Sequence, residues 1–572
     1  MKWINNQKNR RILCKMAKKY NISEMLAQVL INRDLTDEEL DILFNRLEDA
    51  FLNPYDLINC EEGTKLITPY LKDKNALIVI RADYDADGIT SGYVLGDGLS
   101  YVADCEVNVS YPERSEGYGL KLPFCEYLIN LKASNKYSKI LLITVDNGIA
   151  AYEEINYLKD NNITTLVIDH HNPKETLPDC IVIDPWKDED ETFRHLCGVG
   201  LAFKFIQILF NEYDIIDELN QYLTAVAIGT IADMMPMTLE NIAFCVYGIN
   251  QMNSDECPQG IQALKQYLGK KELSFTDIGW EIGPRINACG RMDDVQLASK
   301  LFFNDELSYY ELLDDIIPTI DSLNTKRKEL TNVKTTEIIE SINDKDSVIV
   351  AITTDCPEGL AGVIVNKLIA IYNKPCIVFI KKDDLYVGSA RSINDINMLD
   401  ILNKEQEEHN TILNYGGHEQ AAGIAITEES INEFKEHMAT LKLNTDLTEE
   451  DKEIELNIDA TIELKDVNME NVIDLNYLPY DKEKFIEPVF ETEVVIANYN
   501  YTAKKDKIWL YITDHTMNEN KTLKLLLMNE TMNQFLNLKN KHKVKLAGTL
   551  TTDFLTQGRT ATIRIIDMKE AE

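Results

Sequence analysis

The chain has 572 residues, 45% of them hydrophobic and 27% charged, a soluble, globular composition too long for a single core. No apolar run reaches membrane-spanning length and MKWINNQKNRRILCK lacks a signal-peptide core, so a cytoplasmic protein with no membrane association is expected. The net charge of −37 weighs against a nucleic-acid partner unless basic groups gather in a groove, and 11 scattered cysteines with no C-x-x-C pair argue against a thiolate zinc site or a disulfide framework.

Residues 1–70 are polar and amphipathic, and predict a helical segment. From 71 to 304, short β-branched runs (ALIVI, KILLITV, TTLVID, CIVID) alternate with helix-like stretches, which predicts βαβ units and a parallel sheet covered on both faces. Residues 305–341 predict a long connecting helix with a bend near Pro318. A second, smaller α/β unit is expected over 342–445, with strands SVIVAI and CIVFI around GLAGVIVNKLIAIY. The acidic stretch NTDLTEEDKE reads as a linker. Alternating segments through 446–572 then predict a small antiparallel barrel of the oligonucleotide-binding kind, close to charge-balanced unlike the whole chain.

Acidic residues fall at predicted strand ends, and one more, Asp233, follows a further apolar segment. RADYDADG, directly after ALIVI, sets Asp83, Asp85 and Asp87 at alternate positions; TVDNGI adds Asp146, VIDHHNP adds Asp169, His170 and His171, and AIGTIADMMP adds Asp233. D-x-D-x-D-G also opens an EF-hand loop, but the twelfth position here is Val94 and a strand precedes it, so that reading fails. Each acid alone is explained as a turn or capping residue. Together they bring carboxylates and imidazole to one sheet edge, where like charges are tolerable once cations neutralise them. Oxygen ligands with imidazole and no thiolate suit Mn²⁺ or Mg²⁺.

DYDADG, TVDNG, DHH and GTIAD, in this order, resemble the motifs of the DHH phosphoesterase superfamily. YPERSEGYGL, GVGLAFK, GPRINACGRMDD, GSARSI and GGHEQAAG narrow the resemblance to the RecJ-type single-strand-specific DNA exonucleases, over roughly residues 50–430. The resemblance implies an α/β fold: a parallel-sheet DHH catalytic domain, a long connecting helix, a smaller DHH-associated domain and a C-terminal barrel. It also implies two divalent ions held by Asp85, Asp87, Asp146, His170 and Asp233, with Asp83 beside them. By the same resemblance His171 contacts the scissile phosphate or a metal-bound water, Arg114, Ser389 and Arg391 hold substrate phosphates, Arg285 and Arg291 share that duty, and His418 faces the cleft from the second domain. Tyr118 is a candidate for stacking on a base.

Three departures stand out. Arg81 occupies a position where many relatives carry histidine; an arginine cannot ligate a metal and repels one. The spacing from Arg114 to Tyr118 is one residue short, and PYDKEKFIEPVF replaces a glycine-rich turn ahead of the barrel. The expected activity is 5′→3′ hydrolysis of single-stranded DNA to 5′-mononucleotides in recombination and repair, by a monomer, with a single-strand-binding protein or a helicase as candidate partner. The alternatives are a dinucleotide phosphodiesterase of the same superfamily, disfavoured by length, and a weakened DHH scaffold that binds single strands, disfavoured by the intact acidic motifs.

Overall fold

The structure, a computed structural model, describes residues 1–571 except 114–115, 118, 174–175, 293, 305–306, 394–395, 444–454, 478, 482, 504–506, 518–520, 554–555 and 557–558. The stretch read as a linker lies almost wholly outside the described residues. A short strand β1 (Lys2–Asn5) opens the chain, followed by the helices Arg10–Tyr20, Glu24–Ile31, Asp37–Asn45 and Cys60–Leu71.

Five strands then build the first sheet: β2 (Ala76–Ala82), β3 (Glu106–Ser110), β4 (Lys139–Val145), β5 (Thr164–Ile168) and β6 (Ile181–Ile183). They run in the order β3-β2-β4-β5-β6 and every pairing is parallel, as the alternation of strand and helix predicts. The period of two in ALIVI and KILLITV supplies both faces. Ile78, Ile80, Leu141 and Ile143 pack under the Ala86–Val102 and Gly198–Glu212 helices, whereas Leu77, Val79, Ile140 and Leu142 pack under Leu122–Ala133 and Tyr152–Asp160. With parallel strands, all the carboxyl ends share one edge.

The helix Ile317–Ile339 leads out of this region, with Pro318 in its first turn directly after a π-helical turn at Leu312–Ile316. Pro318, which has no N–H to donate, thus follows a turn in which Ile317 N–H bonds to the Leu312 carbonyl five residues back. The second sheet contains β7 (Ile349–Thr353), β8 (Cys376–Lys382), β9 (Leu385–Arg391), β10 (Asn414–His418) and β11 (Ala421–Thr427), ordered β10-β11-β9-β8-β7. Only β7 and β8 are parallel. The Ala361–Tyr372 helix covers one face; Met398–Glu408 and Ile431–Thr440 share the other.

Beyond it, β12 (Glu455–Ile458) pairs in parallel with β1, and β13 (Ala460–Thr461) lies beside β14 (Phe490–Tyr501). β15 (Lys507–Thr513), β16 (Leu523–Met528), β17 (Lys543–Thr552) and β18 (Ala561–Glu570) complete an antiparallel sheet ordered β16-β15-β14-β17-β18. The helix Asn529–Leu538 joins β16 to β17, and β16 and β18 come into contact, so the sheet curls into the five-stranded barrel anticipated for this end. No described helix is long and apolar enough to cross a membrane, and all eleven cysteines are free thiols.

Candidate metal centre and its cleft

The site is built from the carboxyl edge of the first sheet. β2 ends at Ala82, and the chain turns through Asp83 into the Ala86–Val102 helix. Asp85 caps that helix, its side chain accepting from Gly88 N at 3.0 Å. Asp87 lies in the first turn, where the helix dipole favours an anion. Its two oxygens accept the backbone N–H groups of Gly198 (2.7 Å) and Val199 (2.9 Å) at the start of the next helix. Gly198 is required there, since a Cβ would sit 2.7 Å from the Asp146 Cβ and 3.0 Å from Asp87 Oδ2. Asp146 follows β4 with φ of 58°, a left-handed conformation that concentrates backbone strain at the site.

His170 draws the acids together. Its Nε2 lies 3.1 Å from Asp146 Oδ1, 3.7 Å from Asp87 Oδ2 and 3.8 Å from Asp233 Oδ2. Side-chain donors fall into two abutting sets, Asp87–His170–Asp233 and Asp83–Asp85–Asp146, with the ligand atoms of each within 4.8 Å of one another. The Asp146–His170 contact joins them.

The electrostatics match. Burial, and then the charge of Asp85, raises Asp87 to about 6 against the hydrogen bonds from Val199 and Gly198. Burial and the neighbouring acids hold Asp146 and Asp233 well above the ordinary carboxylate range. Burial takes His170 down to about 3, so it presents a neutral nitrogen. Burial also keeps the nearby Cys197 thiol protonated. What remains is an oxygen-rich donor set with one imidazole and no thiolate, short of positive charge. That set fits Mn²⁺ or Mg²⁺.

Asp169 does different work. Its Oδ1 accepts the N–H groups of His170 (2.8 Å) and His171 (3.2 Å) and lies 2.7 Å from His171 Nδ1, while Oδ2 accepts from Ile149 N at 2.9 Å. Burial opposes charge on His171, but the hydrogen bond and charge of Asp169 override it and raise the imidazole to about 9. A cationic His171, its side chain 46% exposed, thus stands beside a neutral His170.

The second sheet faces this edge. His418 ends β10, and its imidazole is lowered by burial and then by the charges of Arg391 and His171, one from each side of the cleft. Arg391, at the end of β9, donates to Ser389 Oγ (3.1 Å) and to the Ala390 carbonyl (3.0 Å). Among the described residues it has no carboxylate partner, and burial lowers its pKa. Arg291 donates to the Gly359 carbonyl at 3.1 Å and so bridges the two sheets' regions.

Two arginines singled out in the sequence are anchored by acids. Arg285 is engaged within the protein: its guanidinium contacts Asp321 Oδ1 at 2.7 Å and Glu281 Oε2 at 2.5 Å, tying its helix to the connector. Arg81 is anchored by partners outside the donor sets, although the charge of Asp83 reaches it. Its side chain is 3% exposed, pairs with Glu116 Oε2 at 2.5 Å, donates to Ser110 Oγ at 2.8 Å and lies 4.1 Å from the Phe124 ring centroid. Arg114 and Tyr118 lie outside the described residues.

Sequence reading missed several positioning groups. Asn147 Nδ2 donates to the carbonyls of Arg81 (3.1 Å) and Val145 (2.9 Å), locking the ends of β2 and β4 together. Asn287 Oδ1 accepts Ala86 N at 2.8 Å and steadies the aspartate loop. Trp186 Nε1 donates to the His170 carbonyl at 2.9 Å. Asn147 and Asn287 sat within quoted motifs, TVDNGI and GPRINACGR, but nothing in their spacing marks them as struts. The charged turn before the barrel docks on the catalytic region, with Asp481 Oδ2 accepting from Met237 N at 2.7 Å.

Comparison with known proteins agrees with this geometry. Residues 77–230 match the DHH family, N-terminal domain, and residues 345–441 match the DHHA1 domain. The single-stranded-DNA-specific exonuclease RecJ of Haemophilus influenzae is 30% identical over 483 residues, 81% of this chain and 81% of that protein. RecJ from Thermus thermophilus, solved in complex with Mn²⁺, has the same fold, with a TM-score of 0.79 at 20% identity over 100% of this chain and 80% of that one. An exonuclease RecJ bound to manganese matches with a TM-score of 0.59 at 25% identity, over 68% of this chain and 95% of that one. Two domain matches in the expected order and a full-length relative at 30% identity establish that the chain belongs to the RecJ family of DHH proteins.

Proposed function

We propose that the protein is a metal-dependent exonuclease that hydrolyses single-stranded DNA from the 5′ end to 5′-mononucleotides, in recombination and repair. The observation that carries this reading is the pair of abutting donor sets around Asp146 and His170, set opposite Arg391 and His418. Asp85, Asp87, Asp146, His170 and Asp233, with Asp83, would hold two ions of the Mn²⁺ or Mg²⁺ class. Such ions, when bound, supply the charge neutralisation and Lewis acidity for in-line displacement at phosphorus. The chain's own groups do the rest. His171, kept cationic by Asp169, donates a hydrogen bond to a scissile phosphate oxygen and screens its charge. Arg391, half-buried and lacking a carboxylate partner among the described residues, binds a phosphate with Ser389 at its side. Arg291 and His418 line the same cleft. A single-strand-binding protein or a helicase in the cytoplasm is the partner class that this monomer would meet.

Digestion of 5′- and 3′-labelled single strands and duplex tests the reading. Mononucleotide should appear from the 5′ label of single strands with Mn²⁺ or Mg²⁺ and vanish with chelator. His170→Ala should abolish cleavage while single-strand binding survives. Undiminished cleavage by that variant, or in chelator, contradicts the proposal.

A further inference from the structure

A second cluster of metal-ligating side chains lies in the DHHA1 region, away from the catalytic edge. Glu405 and His409 stand four residues apart at the end of the Met398–Glu408 helix, so they share one helix face. His437 reaches them from the Ile431–Thr440 helix, which packs on the same face of the second sheet. Glu405 is only 3% exposed, and its Oε1 lies 2.9 Å from His437 Nδ1 and accepts from Thr411 Oγ1 at 2.6 Å. The His409 and His437 rings stack with centroids 3.8 Å apart and planes 29° from parallel. The ligand atoms of all three residues lie within 4.8 Å of one another.

We propose that Glu405, His409 and His437 form a binding site for a transition-metal ion of the Zn²⁺ class, distinct from the catalytic centre. The carboxylate supplies the negative charge, and the ion takes the place of the hydrogen between His437 Nδ1 and Glu405 Oε1, the neutral ring carrying its proton on Nε2 instead. Tetrahedral zinc, with bonds of about 2.0–2.2 Å, needs donor atoms roughly 3.3 Å apart, which the two rings reach by turning out of their stack so that their in-plane lone pairs converge. The donor set is two nitrogens and one oxygen. Imidazole-rich sets favour zinc over the Mn²⁺ and Mg²⁺ suited to the carboxylate-rich centre. The two histidine side chains are 37% and 26% exposed, which leaves an entry path and an open fourth position. Bound metal would pin the two helices to each other and brace the sheet that carries Arg391 and His418.

The test uses metal-stripped full-length protein in excess Mg²⁺. Zinc bound per chain is counted by equilibrium dialysis for the wild type, His409→Ala and His437→Ala, with Co²⁺ absorption as an independent probe. The wild type should bind one more zinc than either variant, show a cobalt spectrum of low coordination number that both variants lose, and gain a higher melting temperature with zinc that the variants do not gain. Circular dichroism and retained Mg²⁺-dependent nuclease activity verify that the variants fold; His437→Gln replaces any that does not. Equal zinc stoichiometry and an unchanged cobalt spectrum in folded variants overturn the proposal.

Discussion

At the residue scale, two adjacent histidines are driven to opposite charge states by their neighbours. His170 is buried among carboxylates and neutral; His171 leans on Asp169 and is cationic up to about 9. Because the folded-state value of His171 is raised, its favourable pairing is complete below the ordinary histidine value and is lost as pH rises through about 9. Asp169→Asn removes the two largest raising influences and leaves those of Asp233 and Asp83. It should move the alkaline limb of the activity profile down toward the ordinary histidine range, about 6.5. A pH–rate profile checks this, and an unmoved limb would mean that His171 charge plays no part in turnover. The acids themselves were legible in the sequence, because each closes a short apolar run: parallel strands carry Asp83, Asp146 and Asp169 to one edge, and the Leu223–Ala232 helix, capped by Asp233, brings the last one there. The division of labour inside DHH was not. It depends on which oxygen meets which ring nitrogen, and that is set by Ile149 N and Trp186, 20 residues before Asp169 and 16 after His170, on other elements of the fold. Arg285 makes the same point from the other side: its motif suggested phosphate, and nothing in it marked Glu281 and Asp321 as the acids that hold it.

At the scale of elements, the aspartate loop is held from behind by the Gly283–Arg291 helix. Asn287 caps the start of the Ala86–Val102 helix, and Gly290 presses so close to the loop that a Cβ would lie 2.1 Å from the Tyr84 carbonyl oxygen. Backbone cannot yield cheaply there. Gly290→Ala should cost about 1–3 kcal/mol of stability by overpacking. It should also slow hydrolysis by up to roughly 100-fold through misplaced ligands. Urea denaturation and kcat measurement check both. Unaltered activity would show that the helix does not position the loop. Strand and helix succession was readable because alternation of period two and runs of helical spacing are local properties of sequence. β1 was not, since a four-residue strand in a segment of helical character depends on a partner, β12, more than 400 residues away.

At the scale of the molecule, the two ends of the chain close on each other. β1 pairs with β12, Trp3 Nε1 donates to Asp567 Oδ2 at 2.8 Å, and Arg33 meets Asp459 Oδ1 at 2.8 Å. Asp459 also accepts from Asn32 Nδ2 and Val489 N, so one nearly buried carboxylate joins the N-terminal helices to the entry of the barrel. Asp459→Ala leaves Arg33, whose side chain is 11% exposed, without its counter-charge and should cost about 3 kcal/mol. Chemical denaturation measures the loss, and limited proteolysis should show the terminal barrel released first. Closure of this kind also accommodates a chain of net charge −37 that acts on a polyanion. The charge sum describes the whole surface and not the local field at the proposed cleft, where the charges of Arg391 and His171 both reach His418.

The central claim is that the carboxylates around His170 are a two-ion centre. Counting bound Mn²⁺ by electron paramagnetic resonance, in zinc-free buffer near neutral pH, tests it most directly. Two ions per wild-type chain, with both lost or greatly weakened in the Asp87→Asn, Asp146→Asn double variant, is the result expected from donor sets that abut through Asp146. A folded double variant that binds Mn²⁺ as the wild type does, or a wild type that binds none, contradicts the account.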